Sequence, residues 1–178
     1  METTEKIVEA YVRYVKGWAT IPNIKCHGQY EIDLLAINPV TNEKYHIESG
    51  VSVSQSHSKL TTNTYSEELL KERINKPKQR RTLGYFKERK FSAPEILVTL
   101  EKYGFIPGGY SQVIVTWDYT EEALSEAKWK KIEIWDFKQI LFEITEKFKN
   151  ERSYFIDDTL RTLQLYARAS KSFGTNEI

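Results

Sequence analysis

The stretch YEIDLLAINPVTNEKYHIESGVSV, residues 30–53, decides the fold. Residues 30–37 read as a strand, and Asn38, Pro39, Val40, Thr41 and Asn42 follow as a strong turn signal. Residues 44–53 return as a second strand. Two strands joined by so short a turn are expected to be antiparallel neighbours. That pairing carries Asp33 on one strand and Glu48 on the next towards the same end of a sheet. Two carboxylates at that range repel unless a hard divalent cation bridges them. Mg2+ accepts such a geometry with one or two carboxylates and several waters.

Working outward, residues 5–18 place Ile7, Val8, Tyr11, Val12 and Val15 at helical spacing, with Thr3 or Thr4 to cap the start and Gly17 at the end. Residues 21–25 read as a short strand. Downstream, residues 54–66 are rich in Ser and Thr and suggest a loop. Residues 67–85 then look helical with a break near Pro77, and residues 93–103 form a helix ended by Gly104 and by Pro107-Gly108-Gly109. Next come a buried strand at 112–116, a helix at 121–130, a strand at 132–135 and a helix at 137–149. This β-α-β-α run implies a parallel pair with a right-handed crossover. A last helix covers residues 153–170, with apolar residues on more than one face. The expected fold is α/β: one domain over residues 1–178, with a mixed sheet of four or five strands and helices on both sides. Its core would span about 5–54 and 110–148, with a helical insertion at about 56–109.

Of the 178 residues, 40% are hydrophobic and 29% charged, a globular composition with a formal net charge of +1. The single cysteine, Cys26, excludes an intrachain disulfide framework and a Cys-rich zinc site, and fits a reducing compartment. No apolar run reaches the roughly 18 residues of a membrane span, so a soluble, cytoplasmic protein is expected. Charge is unevenly placed. Residues 71–90 hold nine basic and two acidic side chains, a local charge of +7, which leaves −6 on the rest of the chain. A basic block on an acidic body is what a phosphate-contacting surface looks like. Gly84, Tyr85 and Phe86 interrupt it with a bend and aromatic planes. The bland alternative is a solvated helix whose cations pair with acids elsewhere.

The order helix, strand with Gly28-x-x-Glu31-Ile32-Asp33-Leu34-Leu35, turn, and strand with His46-Ile47-Glu48 resembles the PD-(D/E)XK nuclease superfamily. The tail, Val113-Ile114-Val115-Thr116, then Ala123 and Ala127, then Ile132-Glu133-Ile134-Trp135-Asp136, is similar to the closing half of Mrr-type restriction endonucleases and Holliday-junction resolvases. The resemblance implies a restriction-endonuclease-like fold and metal-dependent hydrolysis of DNA phosphodiesters. Asp33 matches the family's metal-binding Asp, and Glu48 matches the acidic residue of its triplet. Glu9 suits the Glu that the first helix often adds, with Glu5 on the same helix face as runner-up. Mg2+ or Mn2+ would sit between Asp33 and Glu48, with the Ser49 carbonyl as a further ligand. Arg73, Lys76, Lys78, Arg80, Arg81, Lys87, Arg89 and Lys90 would hold DNA phosphates without reading bases. Pairing of two subunits through the last helix, in a two-fold homodimer, would serve cleavage of two strands.

The triplet departs from the pattern: it reads Glu48-Ser49-Gly50, with glycine where the family carries lysine. That lysine would position the attacking water and stabilise negative charge on the phosphate. Residue 50 should face the same side as Glu48, and nothing in the local sequence demands glycine. Three readings follow. The ammonium comes from another element, Lys59 being the first candidate; or Gln55 or Ser52 does a weaker version of the work; or cleavage is lost and DNA binding remains. A glycine substituted for a native lysine would look the same. Asp33 and Glu48 could equally be ordinary solvent-facing strand residues. A protein-interaction module whose basic block meets an acidic partner is the rival from another class. His27, His46 and His57 match no zinc spacing, and residues 52–58 lack the G-x-S-x-G elbow of a serine hydrolase. No Gly-rich phosphate loop is present, and Cys26 reads as a small apolar filler.

Overall fold

A computed structural model describes residues 2–54 and 58–174. The chain opens with α1 (Thr3–Ala10), started by a capping box between Glu2 and Glu5 and continued by a π-helical turn over Tyr11–Val15. Strands β1 (Ala19–Lys25), β2 (Glu31–Ile37) and β3 (Lys44–Ser49) follow. The next segment contains β4 (Lys59–Leu60), α2 (Glu67–Lys71), α3 (Lys76–Gln79), α4 (Leu83–Tyr85), a π-helical stretch over Phe86–Phe91, and α5 (Pro94–Lys102). The chain closes with β5 (Ser111–Thr116), β6 (Asp118–Tyr119), α6 (Glu121–Trp129), β7 (Ile132–Asp136), α7 (Phe137–Lys149) and α8 (Asp158–Gly174).

The fold is mixed α/β. Five strands lie in the order β1-β2-β3-β5-β7, the first three antiparallel and the last three parallel. The turn at 38–42 therefore joins antiparallel neighbours, as its residues demand, and the expected β5–β7 pair is parallel. Side chains alternate across the sheet. Leu34, Ile47, Val113 and Val115 face Val8 and Val12 at the start of the chain and Ile140 and Ile144 of α7. Ile114 and Ile132 face the other way, onto Leu60, Leu83, Phe86 and Phe91. Both faces of the inner strands are thus covered, which is why β2 and β5 read as near-continuous apolar runs.

Three stretches differ from the sequence expectation. The Ser/Thr-rich loop contains β4, which pairs in parallel with β6 as a separate two-stranded sheet. The helix expected over 67–85 is instead three short helices, because Pro77 starts α3 and Thr82 caps α4. The last helix begins five residues later than expected, at Asp158, and packs on α7 and α1. Leu165 and Tyr166 stand exposed on it.

The segment after β4 is tied to the body at defined points. Thr61 donates its N–H to the Arg81 carbonyl and accepts from Leu83 N–H, both at 2.9 Å. Gln79 is buried and accepts the Ser66 N–H at 2.7 Å. Arg81 Nη2 donates to the Val51 carbonyl at 3.1 Å. Phe86 lies across Gly50, where an added Cβ would stand 2.5 Å from the ring Cζ. Position 50 is therefore glycine because a buried ring occupies the space of any side chain. Gly50→Ala should cost about 1–3 kcal/mol through overpacking. The same substitution in a Phe86→Leu background should cost less, as measured by chemical denaturation; equal costs would show that the ring does not set the requirement.

Candidate active site

The β2–β3 ladder ends at the pair Leu34–Ile47. Beyond it β2 stays with β1 as far as Glu31, while β3 stays with β5 as far as Ser49. The two strands separate like a fork, and Asp33 and Glu48 sit in its crotch. Backbone groups that would have paired across the gap need other partners. Ser49 N–H donates to Asp33 Oδ2 at 2.8 Å, and Asp33 N–H reaches Glu48 Oε1 at 3.4 Å. The carboxylates thus complete the ladder with side chains.

The ammonium of Lys90 fills the opening. Its Nζ is 2.9 Å from Asp33 Oδ1 and 2.5 Å from Glu48 Oε2, and it donates to the Glu31 carbonyl at 3.0 Å. Lys90 arrives from the π-helical stretch Phe86–Phe91. In an α-helix residues five apart point about 140° from each other. The wider π winding lets both Phe86 and Phe91 face the core, and Lys90 is carried into the fork beside them.

Glu48 is fully buried and Asp33 is 7% exposed. Burial, then the neighbouring Glu48, pushes the Asp33 carboxyl up to about 7 against the opposing pull of Lys90. Burial likewise raises Glu48, again opposed by Lys90. For Lys90 the balance is reversed: burial alone would lower it, but Glu48 and Asp33 outweigh that and raise it. The ammonium therefore stays charged, and the carboxyls gain protons first. With both carboxylates ionised the trio carries a charge of −1.

His46 lies behind Glu48 with its Nε2 2.7 Å from Oε1. It is fully buried, with its ring edge-on to Phe91 at 5.0 Å between centroids. Burial, helped by Lys90, lowers its pKa to about 3, so the ring is neutral. A neutral imidazole facing a carboxylate that is paired to an ammonium places its proton on Nε2 and donates it. Nδ1 then has no partner among the described residues.

Other expected site residues fall differently. Glu9 points away from the fork, accepting from Thr20 Oγ1 at 3.1 Å and Arg13 Nη1 at 3.3 Å. Glu5, one helical turn earlier, lines the cavity over Asp33, and burial and then the Asp33 charge raise its pKa. Glu5 thus replaces Glu9 as the α1 carboxylate of the site. Lys59 is on β4, 3.6 Å from Asp118, and does not reach Asp33 or Glu48. Lys90 stands where Lys59 was expected to serve, and it is not a free phosphate contact. Gly50 is not a vacant lysine position, since Phe86 fills it. Ser49 lines the cavity, and its backbone N–H serves Asp33. Gln55 and His57 lie outside the described residues.

Above the fork opens a cavity of roughly 710 Å³. Arg73, Lys76, Arg80 and Arg81 line it, together with Glu2, Glu5 and Glu31. Lys78 and Lys87 are exposed elsewhere. Arg89 pairs with Glu67 at 2.9 Å and lies over the Tyr30 ring at 4.5 Å. Among the described residues Arg73, Lys76 and Arg80 form no salt bridge. Their charge is not consumed by acids elsewhere.

No protein-family model, curated protein or solved structure matches the chain, so the chemistry rests on the geometry itself. Among the described residues no three His, Cys, Asp or Glu side chains converge as a metal-holding group. Asp33 and Glu48 nevertheless fit a hard cation. They are two oxygen donors on adjacent strands, their charge exceeds that of Lys90, and an ammonium already stands where positive charge is wanted. Mg2+ needs no more protein ligands than these.

Two outcomes follow for the metal-free protein in a chelating buffer. Removing one partner of a buried ionic group leaves uncompensated charge, so Lys90→Met should cost about 3–5 kcal/mol at neutral pH. The loss should shrink as acid neutralises the carboxyls. Asp33 has a folded pKa above its unfolded value, so the native state holds the extra proton. Its contribution to stability is full below about pH 4 and is lost as pH rises towards about 7. Asp33→Asn should flatten that part of the stability–pH curve, and an unchanged curve would show that Asp33 does not titrate there.

Proposed function

We propose that the protein is a metal-dependent DNA endonuclease of the PD-(D/E)XK type, in which Lys90 supplies the ammonium that the Glu48-Ser49-Gly50 triplet lacks. One observation supports this reading: Asp33 and Lys90 line a cavity together with Arg73, Lys76 and Arg80, which form no salt bridge among the described residues, and Glu48 is buried directly behind them against Lys90. Asp33 and Glu48 would hold Mg2+ or Mn2+, with the Ser49 carbonyl as a further donor. A bound divalent cation supplies Lewis acidity towards a phosphate and lowers the pKa of water. The chain's own residues do the rest. His46 holds the Glu48 carboxylate in one orientation through Nε2–H. Lys90, anchored by the Glu31 carbonyl, would give a phosphate oxygen the donors freed when Asp33 and Glu48 turn to the cation. Glu5 accepts from Glu2 N–H and adds a third carboxylate near Asp33. Arg73, Lys76, Arg80 and Arg81 hold flanking phosphates and fix register. Two copies joined through the exposed Leu165 and Tyr166 face of α8 would present two such sites.

A second reading is favoured by the double ion pair of Lys90. An ammonium that already pairs with both carboxylates suits a DNA-binding or assembly protein that has given up cleavage. Nicking of supercoiled plasmid in Mg2+ or Mn2+ separates the two. The nuclease reading expects nicking that Asp33→Ala abolishes, that Lys90→Met lowers by at least about a hundredfold, the scale of a lost charge-stabilising donor, and that Lys59→Ala leaves intact. No nicking by the unaltered chain would favour the non-cleaving protein.

Arg80→Ala with Arg81→Ala should weaken DNA binding about equally for all sequences. The slope of log affinity against log salt should fall by on the order of one unit per lost contact. An unchanged slope would place the phosphate contacts elsewhere.

A further inference from the structure

The cavity also bears on which form of nucleic acid reaches the fork, an inference that rests on the nuclease reading. Its volume of roughly 710 Å³ is that of a cube about 9 Å on edge. A volume of this order has room for a nucleotide or two rather than for a length of duplex with both its backbones. Cavities of about 300–1,000 Å³ enclose small organic molecules, and a nucleotide is of that class. The reacting groups are recessed as well: Glu48 has no exposed surface and Asp33 has little.

Charge narrows the choice further. Arg73, Lys76, Arg80 and Arg81 line the cavity, and so do Glu2 and Glu5 at the start of α1. A duplex carries phosphates along both edges and would bring one backbone against those carboxylates. A single strand has one backbone, which can follow the cations. Its bases then meet Tyr30, half-buried in the lining, with the Arg89 guanidinium over the ring at 4.5 Å. A positive groove beside an aromatic plane is how unpaired strands are held without sequence preference.

We propose that the strand entering this cavity is unpaired DNA, such as an overhang, flap or gap, with its backbone along Arg73, Lys76, Arg80 and Arg81 and a base stacked at Tyr30. The test uses three labelled oligonucleotides of matched sequence: a single strand, a duplex closed by loops at both ends, and a duplex with a single-stranded tail. Binding is read by fluorescence anisotropy in chelator and cleavage in Mn2+. The single strand and the tail should bind at least about tenfold more tightly than the closed duplex, with cuts confined to unpaired nucleotides. Tyr30→Ala should reduce affinity for the single strand by about tenfold and leave the closed duplex unchanged. Equal affinity for the single strand and the closed duplex would overturn the proposal, whether or not anything is cut. Tight binding of the single strand with no cleavage of any form would keep this proposal and reject the nuclease reading.

Discussion

The structure turns on one interaction, the Lys90 ammonium held between Asp33 and Glu48 where β2 and β3 separate. A sheet that splits leaves backbone groups without ladder partners, and a buried group without a partner is costly. Here Asp33 receives the Ser49 N–H, and Lys90 serves the Glu31 carbonyl. The two carboxylates can remain in the interior only because a cation joins them, since an unpaired buried charge would neutralise or unfold its surroundings. The segment that brings Lys90 must therefore dock firmly, and it does so through Phe86 and Phe91, both nearly without exposed surface. Gly50 is the matching concession on the sheet side.

This placement links the fork to the cationic wall. Arg80, Arg81 and Lys90 belong to one continuous stretch, anchored by Thr61 and by the contact of Arg81 with the Val51 carbonyl. A lysine on β3 would be fixed to the carboxylates alone. On the π-helical stretch it is fixed also to the residues that line the cavity, so a ligand pulling on the wall acts on the same segment that holds the ammonium. His46 keeps the opposite side rigid, being buried, neutral and packed on Phe91.

The parts legible in the sequence were those with short-range signals. The turn at 38–42 and the strands on either side of it brought Asp33 and Glu48 together, and the β-α-β-α order of the tail gave the parallel strands. Contacts between distant segments were not legible. Asp33 and Lys90 are 57 residues apart, and their meeting depends on a π winding that α-helical periodicity does not describe. The spacing of Phe86 and Phe91, awkward for an α-helix with one buried face, was the available clue. Glu5 and Glu9 lie one turn apart on one helix face, and only the position of β1, which brings Thr20 to Glu9, separates them. Lys59 was misplaced because a Ser/Thr-rich stretch concealed a strand whose partner, β6, is far along the chain. Gly50 had no local signal, since its cause is an aromatic ring from another element.

The central claim is that the Asp33–Glu48 pair is a divalent-cation site that Lys90 occupies by charge. A crystal of the unaltered protein soaked in Mn2+ and examined at the manganese absorption edge tests it without requiring turnover. The account predicts one anomalous peak within coordination distance of an Asp33 and a Glu48 oxygen, with the Lys90 ammonium withdrawn from Asp33 Oδ1. No peak in the fork at saturating Mn2+, with Lys90 still bridging both carboxylates, would contradict it.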